Sequence, residues 1–308
     1  MAITQGDLVA GWSTLYQTLF EQDYNKLVAV EQAQLNPLIM EIPLDDNMGN
    51  TVTLDWLGAA PQMQQWADEI REQGLGKNEW TVKPLRYEAS VAIDIDVLRD
   101  ARGNIYVPRL QEMTANAARL RYNLISALIS SGTTAKCYDG SNFFDTTHQD
   151  NANVAQQANK FAASGTSQAQ VTNDYYAAKQ TMCSFLDDKG APINSAQFRP
   201  LVWIPNNAAL EQAFRNLQGA TMISNTSNVL ANSFDLVIDP KLAGTSWYMF
   251  RASDPMRPFI VCRREEANYR DTFAALTDDV IRRRKGLATV QARMGATYGL
   301  WQKAVMIQ

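Results

Sequence analysis

Cys137 and His148 are the residues of this chain best suited to covalent chemistry. A thiol or hydroxyl becomes a useful nucleophile beside an imidazole, and an acid such as Asp145 could complete the arrangement. A polar loop separates the two, however, and nothing in it supplies an activating context. The segment that holds them, Lys136–His148 (KCYDGSNFFDTTH), reads instead as a turn that buries Phe143 and Phe144. His148 is the sole histidine, and Cys137, Cys183 and Cys262 form no CxxC pair. Zinc spacing is not met, and the cysteines read as reduced thiols. Asp94, Asp96 and Asp100 could hold a cation, but Asp94 and Asp96 share one face of an expected strand, which suits a solvated or ion-paired surface. Neither GxxxxGK[ST] nor GxGxxG occurs, so no phosphate loop is expected. The dense basic run is Arg282, Arg283, Arg284 and Lys285. DNA phosphates could meet it, yet on a chain of net charge −4 a contact between subunits fits better. No catalytic, cofactor or metal site emerges.

The element that must position these residues is the clearest helix in the chain, expected over 105–131. Val107, Leu110, Met113, Ala117, Leu120, Leu124 and Leu128 recur in steps of three and four along one face. Pro108 suits a first helical position, and Gly132 can close the helix in the left-handed cap conformation. At 1.5 Å per residue the rod is roughly 35 Å long. Before it, Val52, Leu54 and Trp56 alternate with polar residues as a strand. A longer alternation runs from Leu85 to Ile95 and is expected to pair antiparallel with the first. Between them Met63, Trp66, Ala67 and Ile70 fit a short helix from Pro61 to Gly74. Such a hairpin has little core of its own, so Trp56, Trp66 and Trp80 are expected to need a partner surface. Residues 1–50 carry a weak helical pattern (Leu8, Trp12, Leu15, Leu19), and Pro37 and Pro43 limit regular structure after it.

Beyond that helix, Gln149–Gln170 is a polar loop. A helix through Val171, Tyr175, Ala178 and Met182 follows, then a buried-type strand at Pro200–Ile204. Asn206 or Asn207 caps a helix through Leu210, Phe214 and Leu217, closed near Gly219. Phe234–Ile238 is another strand, so residues 166–239 read as an α+β or α/β unit. The remainder is strand pattern: Trp247–Phe250, Phe259–Cys262, Val280–Ile281, Leu287–Met294 and Gly299–Ile307. These strands would return the chain to the helix expected over 105–131.

KCYDGSNFFDTTH closely resembles a segment of the major head subunit of Mu-like phages. DWLGAAPQMQQW (Asp55–Trp66), NIYVPRLQEM, RPFIVCRRE (Arg257–Glu265) and GATYGLWQKAVMIQ (Gly295–Gln308) extend the resemblance in order. It implies an α+β, HK97-like capsid fold with 105–131 as the spine helix. It further implies an N-terminal arm (1–50), an E-loop hairpin (51–96) lying on an adjacent subunit, a peripheral domain (97–165 and 240–308) and an axial domain (166–239). Trp56, Trp66, Glu69, Glu72, Trp80, Arg282, Arg283 and Arg284 are the residues expected between subunits, with Glu69 and Glu72 as candidate partners of the basic run.

Composition agrees with a structural role. Of 308 residues 46% are hydrophobic and 19% charged, ordinary for a folded chain, and net negative charge suits a container that must not grip DNA. No 18-residue apolar stretch is present, so no membrane span is expected, and no signal peptide is visible. The expected product is a major capsid subunit forming hexamers and pentamers of an icosahedral virion head around double-stranded DNA, assembled in the host cytoplasm. No long charged segment precedes the fold, which implies a separate scaffolding protein. A portal is expected beside it, with a maturation protease or decoration protein as further partners. The runner-up within the fold is an encapsulin-like compartment; from another class it is a cytosolic enzyme using Cys137 and His148.

Overall fold

The computed structural model describes residues 5–44, 51–57, 77–150, 154–223, 226–252, 254–273 and 278–308. Its helices in chain order are α1 (Gln5–Leu35), α2 (Ile95–Arg99), α3 (Val107–Ala118), α4 (Leu120–Ser131), α5 (Gln168–Ser184), α6 (Ala208–Gly219) and α7 (Asp278–Arg283). The early strands are β1 (Ile39–Pro43), β2 (Val52–Leu57), β3 (Lys77–Val82), β4 (Leu85–Asp94), β5 (Lys160–Phe161) and β6 (Pro200–Pro205). They are followed by β7 (Met222–Ile223), β8 (Thr226–Ser227), β9 (Asp235–Asp239), β10 (Trp247–Arg251), β11 (Phe259–Asp271), β12 (Lys285–Tyr298) and β13 (Ala304–Ile307).

Two sheets organise these elements. One has the order β1-β11-β12-β4, with β1 parallel to β11 and the other pairs antiparallel. Gly286, Ala288, Val290, Ala292 and Met294 point inward along β12 while the residues between them are more exposed, the alternation of a strand with one covered face. The cover is α1 with α3: Val9, Tyr16, Phe20 and Tyr24 meet Leu110, Met113 and Ala118 over that face. The second sheet has the order β5-β13-β10-β6-β9. Its inner strands β6 and β10 are buried along their whole length, and α5 and α6 pack Val171, Tyr175, Ala178, Met182, Leu210, Phe214 and Leu217 into its core. Asn207 caps α6 by accepting from the N–H groups of Ala209 and Leu210 at 3.0 and 3.2 Å. Gln170 accepts from the N–H of Ser167 at the start of α5.

Several expectations change. The spine is α3 and α4, interrupted at Arg119, where ψ is 0°. Past the break the buried stripe is Arg121, Ile125, Ser126 and Ile129, one position round from the expected Leu120, Leu124 and Leu128, which are half-buried. Two polar residues on the true inner face hid its phase. Gly132 ends the spine with φ −62°, so it is not a left-handed cap; a Cβ there would come within 2.5 Å of the Phe144 ring. Strand β2 pairs with β3, and β4 pairs with β12 instead. Alternation marks a strand but does not name its neighbour. The expected E-loop boundary at 96 therefore reaches into the main sheet.

Residues 5–35 are one 31-residue helix docked on the same chain. The expected inner residue Leu15 is 41% exposed, whereas Tyr16 is buried and donates to the Gly103 carbonyl at 2.7 Å. Val280 and Ile281 lie in α7, not in a strand. The expected helix from Pro61 to Gly74 lies outside the described residues. Among the described residues no helix is long and apolar enough to cross a membrane.

Candidate functional site

The spine delivers the chain into the loop that follows Gly132, and this loop holds the residues singled out for chemistry. Phe144 N–H returns to the Gly132 carbonyl at 2.8 Å and Phe143 N–H to that of Ala135 at 3.0 Å. Both rings are then fully buried, with Phe143 stacked on Tyr298 at 4.4 Å. The turn closes through Gly140, whose φ of +83° suits glycine.

This folding gathers Cys137, Asp139 and His148. Asp139 accepts from the Cys137 thiol at 2.9 Å and from the Ser141 N–H at 3.0 Å, and its second oxygen lies 2.6 Å from His148 Nδ1. Asn159 Oδ1 faces Nε2 at 3.2 Å, while its amide nitrogen donates to the carbonyls of Phe143 and Trp301. The ring stacks on Trp301 at 4.2 Å, nearly parallel. The expected partners of His148 are Cys137 or Asp145; Asp139 lies in the same loop but no spacing rule singles it out from the loop's other polar residues, nor Asn159 just beyond it, and Trp301 joins from far along the chain.

The electrostatics oppose nucleophilic chemistry. Burial pushes the Cys137 thiol up, and the Asp139 charge pushes it further, so the reactive thiolate is disfavoured. Burial works against the Asp139 carboxylate too, but hydrogen bonds from His148, Cys137 and Ser141 outweigh it and hold the group below its ordinary value. Burial pushes neighbouring Asp150 up even as it accepts from Trp301 and Tyr138. The sulfur, carboxylate and imidazole atoms of Cys137, Asp139 and His148 lie within 4.8 Å of one another, a spacing that could hold a metal ion. Asp139 already engages both the thiol and the imidazole, and the set acts as a clamp that fastens the loop to Trp301.

The residues expected between subunits fall in three places. Trp66, Glu69 and Glu72, and the side chain of Trp56, lie outside the described residues. Trp80 is half-buried at the root of the β2–β3 hairpin, beside Val52, Leu54, Val82, Ile260 and Cys262. It finds this cover within its own chain. Arg282 and Arg283 end α7, exposed. Arg284 follows with φ +54° and pairs with Asp96 of the same chain at 2.6 Å. Asp94 and Asp96 do not share a strand face: Asp94 caps α2 by accepting from Asp96 N–H. Gly286 pairs with Ile93 inside β12.

Residues 13–170 and 239–308 match the family described as Mu-like prophage major head subunit gpT. The chain belongs to that family. The unmatched stretch between the two pieces covers nearly all of α5 to β9. The major capsid protein of Escherichia phage Mu is 30% identical over 137 residues, 44% of this chain and 44% of that protein. The Mu-like prophage FluMu major head subunit of Haemophilus influenzae is 26% identical over 121 residues, 39% and 36% of the two chains. The aligned stretches thus span less than half of either relative. The procapsid of bacteriophage JBD30 superposes with a TM-score of 0.54 at 18% identity, covering 95% of this chain and 73% of that one. A virus-like particle from Pyrococcus furiosus gives 0.58 at 11%, covering 95% and 99%. This chain has the HK97-like α+β capsid fold of these solved particles.

Proposed function

We propose that this chain is the shell-forming subunit of a Mu-like phage head, assembling into hexamers and pentamers around double-stranded DNA in the virion. The observation that carries the reading is the family match on both sides of the α5–β9 unit. The work is assembly, not bond chemistry: modest contacts repeated around each subunit make a closed shell far more stable than any pair. Four regions would divide the labour: an N-terminal region to about 50, the E-loop hairpin, a peripheral domain holding the spine, and an axial domain over 166–239. The hairpin, with Trp56, Trp66, Glu69 and Glu72, would lie on a neighbour and meet Arg282 and Arg283. A separate scaffold, a portal, and a protease or decoration protein would act with it in the host cytoplasm.

The test is expression of the full chain together with its scaffolding protein and without phage DNA, followed by electron microscopy and sedimentation. Megadalton icosahedral particles are the expected result. Small symmetric oligomers, the usual state of an enzyme, would overturn the reading.

A further inference from the structure

Asn159 fixes which ring nitrogen of His148 is a donor. Its amide nitrogen donates to the carbonyls of Phe143 and Trp301 at 2.8 and 3.4 Å, and its Oδ1 accepts from the Asp145 N–H at 2.9 Å. A flipped amide would set oxygen against oxygen and NH2 against N–H, so these backbone partners settle the orientation. Oδ1 is then the atom facing Nε2 at 3.2 Å, and Nε2 must donate. In a neutral imidazole the other nitrogen is an acceptor. Nδ1 aims that lone pair from 2.6 Å at Asp139 Oδ2, on a carboxylate that can only accept. The other Asp139 oxygen faces the Cys137 sulfur at 2.9 Å. The side chains of His148 and Asp139 are 0% and 1% exposed, and Cys137 is fully buried, so water does little to screen the meeting. Two lone pairs this close call for a cation between them.

We infer that Cys137, Asp139 and His148 bind one zinc-type divalent ion through Sγ, the carboxylate and Nδ1. Sulfur, nitrogen and oxygen together are a donor set that zinc accepts. Asp139 turns one oxygen to the thiol and the other to the imidazole, so three side chains offer four donor atoms. Ligand atoms around zinc stand roughly 3–4 Å apart, and these already lie within 4.8 Å of one another. The surrounding groups match as well. A ligating histidine passes its other N–H to an oxygen acceptor, and a ligating carboxylate is itself hydrogen-bonded; Asn159 Oδ1 and the Ser141 N–H fill those places. Charge balances in the exchange. Protons alone give a thiol, a carboxylate and an imidazolium, which sum to zero. The ion displaces the thiol and ring protons to solvent, leaving thiolate, carboxylate, neutral imidazole and two positive charges, again zero. Burial keeps Cys137 a thiol among protein groups alone, whereas a coordinating metal deprotonates it outright. The ion is structural: it locks the loop after the spine against Trp301.

Untagged full chain, unassembled and purified without chelators, tests the site. Elemental analysis should find about one zinc per chain. Stripping it should lower the melting temperature by roughly 5 °C, restored by zinc and not by magnesium, which prefers oxygen ligands. Cobalt in its place should show thiolate charge-transfer absorption, lost in Cys137→Ser and kept in Cys183→Ser, whose half-buried thiol lies outside the loop. Where Cys137→Ser does not fold, the wild-type chain decides through its sole histidine: the ring resonances should shift on one equivalent of zinc. A wild-type chain that takes up no zinc, and whose histidine signals ignore it, overturns the site; a second ring proton is then the cation. A cobalt band surviving in folded Cys137→Ser overturns the ligand set.

Discussion

The indole of Trp80 donates its N–H to Thr297 Oγ1 at 2.7 Å, tying the root of the β2–β3 hairpin to β12 from the far end of the chain. Thr297 is buried, so its hydroxyl has little water to replace the bond. Trp80→Phe keeps an aromatic ring and removes the donor, which should cost about 1–3 kcal/mol. Thermal unfolding of the unassembled variant checks this, and an unchanged melting temperature would show the bond to be incidental.

Gly132 is required by space, not by backbone freedom. Gly132→Ala drives a methyl into the Phe144 ring, and overpacking of this kind costs about 1–3 kcal/mol. The expected outcome is a lower melting temperature with the same helix content. A second substitution, Phe144→Leu, makes room and should recover part of the loss.

Acid should loosen the His148 clamp from the carboxylate side. Asp139 is held below its ordinary value in the folded chain, so its contribution is present above the unfolded value of about 4 and is lost as pH falls through the folded value. Asp139→Asn should therefore be less stable than wild type near neutrality, with the gap narrowing on acidification. Melting curves from neutral to acidic pH decide; a gap that stays constant would place the stabilisation elsewhere.

The spine's inner face makes a paired prediction. Ile125 is fully buried, and an unpaired carboxylate there is costly, so Ile125→Asp should yield insoluble protein. Leu120 is half-buried, and Leu120→Asp should stay soluble with reduced stability. The reverse order would restore the helix phase drawn from the leucines alone.

The basic run separates into two roles. Arg284 pairs with Asp96, and both side chains are about half exposed or more; Arg284→Glu should change stability by only about 0–1 kcal/mol. Arg283→Glu should instead lower particle yield, more strongly at low salt where screening is weak. Unchanged yield across a salt series would remove Arg283 from the subunit contacts.

What the sequence disclosed follows the range of the physics involved. The α5 stripe and the Asn207 cap depend on residues within a few positions of one another and stand where expected, as does the spine up to its break at Arg119. Beyond that range the reading weakened. Strand β4 announced itself by alternation, but its partner β12 lies far along the chain, and β3 was overlooked beside it. Helix α1 rests on Tyr16, Phe20 and Tyr24, aromatic anchors among polar residues whose stripe is easily mis-phased. Arg121 reads as a surface residue until Glu266 and Glu41, at 2.7 and 3.2 Å, bring it inside. Asp139, His148, Asn159 and Trp301 meet only once the sheet has closed.

The pairing of Asp94 with Lys285 sets a clock on the newborn chain. At the usual 5–20 residues per second, β4 leaves the ribosome roughly 10–40 s before β12 can reach it. During that wait an edge rich in strand-forming residues has no native neighbour, and unpaired edges in incomplete chains are where aggregation starts. A cell making many copies of this subunit at once would hold a crowd of waiting strands. Yield at high expression should then depend on how fast chains are made, with slower synthesis or a resident chaperone giving more soluble protein from the same message.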